Sequence, residues 1–417
     1  MVNHGISLEF DSSVRTPESD ISGTVKIDLS RVKDRGITEI NVSMIGELRT
    51  AVYLKSPKTA SAVTTVESRQ GGERLTLVNH KINIWKAETF DGPSLARAVG
   101  GILPFPFSFR LSGNDEWPPT FEQVTGEGSA SMKYYIKVTG VQKNWYKSNI
   151  SITRPFNFLP LDQSPPPSIS IRPKKVWKKE ASIRKGLFVH TAARAEVEVC
   201  PSKFTRAIIL TPPKVSLPGE HTFPICQAIP IDVRVKGISK PYSSKKGSNG
   251  TSGYPLPPTN PEAITLRLFS FTGIRAGAWY TTAKQDKGLV AGFGPPPNKS
   301  FRGEWGKDIS VEVGTPLWTP ESPSQIDGEG RWSQEVLFCS SMTINCPPCF
   351  KHKYLSNSYY LQVIVRFSGL GNDVVFETSL LKITSGIFRE RVHAQPIDLP
   401  VEFPPSYGEV LDDREEA

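Results

Sequence analysis

Between Ser358 and Phe367 every second residue is apolar: Tyr359, Leu361, Val363, Val365 and Phe367. A helix scatters positions two apart around its axis, whereas the pleat of a β-strand gathers them on one face. The same period of two returns at Ile6, Leu8 and Phe10, and at Val25, Ile27 and Leu29. It continues through residues 37–53 and 130–141, and at Ala195, Val197 and Val199 with Glu196 and Glu198 between them. Each such strand has one buried and one wet face, which is the pattern of antiparallel sheets. No helical period lasts more than two turns, and residues 31–34 and 93–99 are the only short helices expected. With 417 residues the chain exceeds what one core usually organises. The pattern therefore predicts an all-β protein of two antiparallel sandwich domains, immunoglobulin-like in architecture.

Punctuation supplies the boundaries. The 36 prolines and 33 glycines sit mostly at strand-end spacing. Residues 162–168 read DQSPPPS, and three consecutive prolines suit a stiff connector because they fix φ and donate no N–H. The expected organisation is a first domain over 1–161, a proline-rich linker over 162–168, a second domain over 169–386 and a flexible tail over 387–417. Residues 56–72, 237–261 and 281–325 are poor in period-two pattern and are expected as loops, with one strand near residues 309–313 in the last. Residues 181–189 and 204–210 are further strand candidates, and Gly46 is expected to mark a bulge or a close approach.

Composition narrows the function classes. No run approaches 18 apolar residues, so no membrane-spanning helix is expected. The first ten residues lack a basic start followed by an apolar core, so no secretory leader is expected. The five cysteines, Cys200, Cys226, Cys339, Cys346 and Cys349, are then expected to be reduced thiols. A formal charge of +9 favours anionic partners without choosing among them.

Catalytic motifs are missing from the sequence. The six histidines, His4, His80, His190, His221, His352 and His393, stand in no HExxH context, and no G-x-S-x-G or phosphate-loop spacing occurs. Cys346 and Cys349 form C-P-P-C, which has metal or redox spacing, but His352 and Cys339 follow no familiar zinc pattern, and the two prolines disfavour a redox helix start. No catalytic residue, metal ligand or cofactor is therefore expected. Two features suit binding. Arg172, Lys174, Lys175, Lys178, Lys179, Arg184 and Lys185 surround Trp177, with Glu180 the one acid among them. Such a patch fits anionic lipid or a phosphorylated ligand, or else a solvated strand face; without an accompanying motif, nucleic acid is not expected. In the tail, Pro404, Pro405, Ser406 and Tyr407 form P-P-x-Y. A polyproline ridge followed by an aromatic anchor is what the groove of a WW domain takes.

The order of the strand-like fragments resembles the arrestin family, and its fungal α-arrestins in particular. The fragments are ISLEF at 6–10, ISGTVKIDLS at 21–30, ITEINVSMIGELRTAVY at 37–53, LPFPFSFRL at 103–111 and YYIKVTGVQKNWYKSNISITRPFNFLP at 134–160. In the second half VSLPGEHTFPI at 215–225 and LSNSYYLQVIVRF at 355–367 resemble the family more loosely. The resemblance implies two arrestin-like sandwiches and a non-enzymatic, cytoplasmic adaptor recruited to the plasma membrane or endosomes. Such an adaptor links transporter or receptor tails to a WW-domain HECT-type ubiquitin ligase for endocytosis. The rival readings are an arrestin-like structural or vesicle-sorting protein that recruits no ligase, and, last, a β-sandwich enzyme. The resemblance assigns no phosphate-sensing residue, and Arg154 in the hairpin at 134–160 is not given that role.

Overall fold

The computed structural model describes residues 5–54, 68–88, 101–111, 117–144, 146, 148–162, 177–183, 193–201, 222–243, 256–296, 308–321, 329–368 and 372–387. The first half contains β1 (Ile6–Phe10), β2 (Asp20–Asp28), the single-turn α1 (Leu29–Asp34), β3 (Ile37–Leu54), β4 (Ser68–Lys86), β5 (Ile102–Arg110), β6 (Phe121–Thr125), β7 (Gly128–Gln142) and β8 (Ile150–Phe156). The second half contains β9 (Trp177–Ile183), β10 (Ala193–Pro201), β11 (Thr222–Pro224), β12 (Ala228–Ile238), β13 (Tyr242–Ser243), β14 (Ile264–Ala276) and β15 (Trp279–Leu289). It continues with β16 (Ser310–Val313), β17 (Leu317–Pro320), β18 (Glu329–Thr343), β19 (Phe350–Lys351), β20 (Leu355–Arg366), β21 (Asp373–Glu377) and β22 (Lys382–Thr384).

The chain is all-β, as its period-two pattern predicts. In the first half a sheet in the order β1-β2-β5 faces one in the order β4-β3-β7-β6, with β8 also on β7. All of these ladders are antiparallel. Their inner faces meet as Ile21, Val25 and Ile27 from β2 against Ile40, Val42 and Met44 from β3 and Met132, Ile136 and Val138 from β7, all buried in one cluster. The burial of β7 alternates without a break from Gly128 to Gly140, so a shift of one residue in its register would expose the whole apolar set. Helix α1 closes one end. Asp28 caps it by accepting from the backbone N–H groups of Ser30 and Arg31, and its Leu29 and Val32 are buried.

The second half pairs a sheet in the order β9-β10-β12-β18, extended by β13, β16 and β17, with one in the order β15-β14-β20, extended by β19 and β21. A short parallel pair joins β11 to β22. The core cluster takes Val197 and Val199 from β10, Val233 and Val235 from β12, Phe338 from β18 and Leu361, Val363 and Val365 from β20.

Both halves place a tyrosine in the same way. Tyr134 on β7 is buried and donates its hydroxyl to the Pro118 carbonyl at 2.7 Å. Tyr359 on β20 is buried and donates to the Pro347 carbonyl at 2.7 Å. In each strand a second tyrosine follows, Tyr135 or Tyr360, on the opposite face. Gly46 holds both of its expected roles: the β3–β4 register shifts beside it, and a Cβ there would lie 2.8 Å from the Tyr134 ring.

All three expected loops are partly sheet: within 237–261, residues 237–238 end β12 and residues 242–243 form β13. Residues 68–72 begin β4, and residues 281–289 lie in β15, paired along β14. Among the described residues both β4 and β15 are edge strands of their sheets, and the mostly polar sequence of residues 281–289 carries no clear period of two. The strand expected near 309–313 is β16, and β17 follows it. The strand expected at 181–189 begins earlier, at Trp177; residues 184–189, the strand expected at 204–210, the short helix expected at 93–99 and linker residues 163–168 lie outside the described residues.

Candidate functional site

The predicted binding residues fall largely beyond what the structure describes. Pro404, Pro405 and Tyr407 lie outside the described residues, as do Arg172, Lys174, Lys175, Arg184 and Lys185. Lys178 and Lys179 follow Trp177 in β9, in register with Glu198 and Val197 of β10, and Lys179 is exposed. Glu180 follows opposite Glu196 and is paired with Arg194 at 2.5 Å. The described end of the basic stretch is therefore edged by acids from β10, which are close in space and distant in sequence.

What the described residues do build is a seam between the two sandwiches. The β14–β15 hairpin turns at residues 277–278 and reaches into the first half. Its Ile274, Ala276 and Ala283, with Leu355 of β20, belong to the first sandwich's core. Conversely Leu159, Val14 and Leu161 pack into the second core. Hydrogen bonds stitch the margin. Thr50 donates to the Arg275 carbonyl at 2.8 Å, and the Gly277 N–H donates to the Glu73 carboxylate at 2.9 Å. The buried Thr272 hydroxyl lies 2.6 Å from the Gln123 side-chain amide and 2.9 Å from that of Asn357. Both partner atoms are amide oxygens, Gln123 Oε1 and Asn357 Oδ1, so the single hydroxyl hydrogen donates to one of them at a time. Phe121 meets Phe350 edge-on at 5.3 Å. At the rim Trp279 lies against Gly71, where a Cβ would come within 2.9 Å of the indole and 3.0 Å of the Ala276 carbonyl. Trp279, Tyr280 and Val124 are exposed there.

A charged cluster occupies the outer face of the first sandwich. Glu47 on β3 is buried, with a side chain 4% exposed. Its carboxylate accepts from Arg49, from Arg74 at 2.6 and 3.0 Å, and from the Tyr135 hydroxyl at 3.0 Å. Arg49 and Arg74 stand directly opposite each other across the β3–β4 ladder. Like charges in that position repel, and Glu47 between them offsets the cost. Burial pushes the Glu47 carboxyl upward, but the Arg49 bond and charge, with the Tyr135 and Arg74 bonds, prevail and hold it below its usual 4.5. Burial, with the charge of Glu47, pushes the Tyr135 hydroxyl up to about 12.

A depressed carboxylate stabilises the fold fully above its unfolded pKa, and that contribution is lost as pH falls through the lower folded value. Glu47→Gln is thus expected to cost about 1.5–3 kcal/mol at neutral pH, the range for hydrogen bonds to a charged group. The gap to the wild type should close below the usual 4.5 as the native carboxylate protonates. Urea midpoints of both proteins across that range test this; an equal gap at every pH would show that the charge is not its source.

The thiols face chemistry of the opposite kind. Cys346 is buried, and burial pushes it up to about 12. Cys349 is raised by burial too, donates to the Leu381 carbonyl at 3.3 Å and accepts from the Ile383 N–H. Both are protonated, weakly nucleophilic thiols. His352 accepts the Tyr354 N–H on its Nδ1. Among the described residues no three His, Cys, Asp or Glu side chains gather to hold a metal ion, and no helix is long and apolar enough to cross a membrane.

The order of strands from β1 to β8, the α1 plug and the seam at Leu159 describe a unit that ends near residue 162. A family model for the arrestin (or S-antigen) N-terminal domain matches residues 5–162. Residues 5–162 thus form an arrestin N-terminal domain. The matched span takes in β1–β8 and every residue of the Glu47 cluster, and it ends where Asp162 donates its N–H to the Ile387 carbonyl at 2.8 Å. A search of curated proteins returned no match. The sequence patterns for this arrestin domain were legible strand by strand, but the Glu47 cluster and the seam were not. An acid and a base two apart on one strand, Glu47 and Arg49, were the one sequence signal of the cluster.

Proposed function

We propose that this protein is a non-enzymatic adaptor of the α-arrestin type, coupling membrane transporters or receptors to a WW-domain HECT-type ubiquitin ligase. The observation that carries this reading is the presence, on one chain, of an arrestin N-terminal domain over 5–162 and the P-P-x-Y sequence at 404–407. In this reading the sandwiches engage the cargo tail, and the basic stretch from Arg172 to Lys185 meets anionic lipid headgroups at the plasma membrane or endosome. Ubiquitin transfer is the ligase's chemistry; the chain supplies proximity, so no catalytic residue or cofactor is required of it.

The test is titration of the full chain against a panel of WW domains. Binding is expected at micromolar order or weaker, since a short segment that orders on binding buries little area. Tyr407→Ala is expected to weaken it by about thirtyfold, the loss of an aromatic anchor worth about 2 kcal/mol. Ser406→Ala, at the unread position, should change little. If no WW domain distinguishes Tyr407→Ala from the wild type, the ligase half of the proposal falls and arrestin-like sorting without a ligase replaces it.

A further inference from the structure

The sequence from Thr315 to Pro323, TPLWTPESP, holds three Ser/Thr-Pro pairs in nine residues. Two of them lie on the outer edge of the second sandwich. Thr315 follows Gly314, whose N–H donates to the Glu335 carbonyl at 2.8 Å, in the break between β16 and β17. Thr319 is in β17, a four-residue strand that among the described residues pairs with β18 alone. Thr315, Pro316, Thr319 and Pro320 are all exposed. Pro316 and Pro320 lack an N–H, so neither adds a donor to the ladder, and a short edge strand opens at low cost. An accessible hydroxyl followed by proline in extended backbone is the acceptor that proline-directed Ser/Thr kinases take.

The surroundings suit the product as well. Thr319 stands directly across the ladder from Arg331, so the two side chains share a face. The Arg331 guanidinium already holds an anion there: its Nε and Nη2 each donate to Glu321 Oε1 at 3.1 Å. Glu321 is two residues beyond Thr319 and so lies on the same face. A phosphate on Thr319 offers the same guanidinium three acceptor oxygens and a charge near −2 at neutral pH.

We propose that Thr319, together with Thr315, is the acceptor site of a proline-directed Ser/Thr kinase, and that Arg331 receives the Thr319 phosphate in exchange for Glu321. The γ-phosphoryl group of ATP passes to Thr319 Oγ1, the bond to ADP breaks, and the hydroxyl proton leaves to the kinase's own base. The full chain, incubated with ATP and a purified cyclin-dependent or mitogen-activated kinase, is mapped by tandem mass spectrometry. Phosphate is expected on Thr319, and Pro320→Ala should lower its incorporation there at least tenfold while Thr315 remains a substrate. No phosphate on Thr319 of the folded chain, or undiminished incorporation in Pro320→Ala, overturns the acceptor assignment. Phosphorus NMR of the modified protein reads the clamp. The second ionisation of the phosphate should lie below its ordinary value near about 6 and return toward it in Arg331→Gln. A value unmoved by that substitution overturns the role of Arg331.

Discussion

Replacing Tyr134 by alanine is expected to destabilise the first sandwich by about 3–5 kcal/mol, the range for removing a buried aromatic ring. The ring is 1% exposed and is packed on every side. Trp117 stacks on it at 5.9 Å, Phe156 lies at 5.9 Å and Phe158 at 5.1 Å. Gly46 leaves room for its edge. These groups come from β3, from β8 and the residues just after it, and from the segment before β6, so the ring on β7 ties distant segments together and its loss leaves a cavity that no single side chain can fill. The hydroxyl is a separate contribution. Burial raises its pKa well above 10.0, so it stays protonated and donates to Pro118. Tyr134→Phe should cost about 1–2 kcal/mol by leaving that buried carbonyl unpaired. Against a typical stability of about 5–15 kcal/mol, only the alanine variant threatens folding at working temperature. Urea unfolding followed by tryptophan fluorescence separates the two. If Tyr134→Ala shifted the midpoint no more than Tyr134→Phe, the ring would not be the packing centre described here.

Ile274→Ala is expected to have the second-largest effect, about 2–5 kcal/mol, and a distinctive form. Strand β14 feeds two cores: Ile264, Leu266 and Leu268 are buried in the second, whereas Ile274 and Ala276 are buried in the first. A cavity at Ile274 therefore weakens the grip of one sandwich on the other. A cavity at Leu266, on the same strand, weakens only the sandwich to which the strand belongs. Calorimetry of Ile274→Ala should show a broadened or divided melting transition, with faster amide exchange around Thr50 and Arg275. Leu266→Ala should lower the melting temperature without dividing the transition further than in the wild type. Identical melting profiles for the two variants would sink the idea that β14 couples the sandwiches. Such variants leave the tail motif untouched, so an adaptor that fails in cells with either one while still binding a WW domain would place cargo engagement on the paired sandwiches.

Sequence alone determined the class of fold, because the choice between period two and period 3.6 is local: each strand carries its own pattern whatever it pairs with. It determined the turn at the start of α1, where Asp28 precedes Ser30 and Val32, and it marked Gly46 as a break in the strand pattern. The P-P-x-Y segment is also legible without a fold, since its chemistry belongs to four consecutive residues. The tertiary structure decided everything that depends on pairs distant in the chain. Residues 281–289 read as a loop because their polar side chains are wet on an edge strand, and only pairing with β14 made them sheet. Nothing in the sequence near Glu47 marks it as buried; Arg74, 27 residues away, and Tyr135, 88 away, make it a buried carboxylate. Ile274 sits on a strand of the second half yet is buried in the first core. Which core it enters is set by where the β14–β15 hairpin docks, and that depends on the shape of both halves at once.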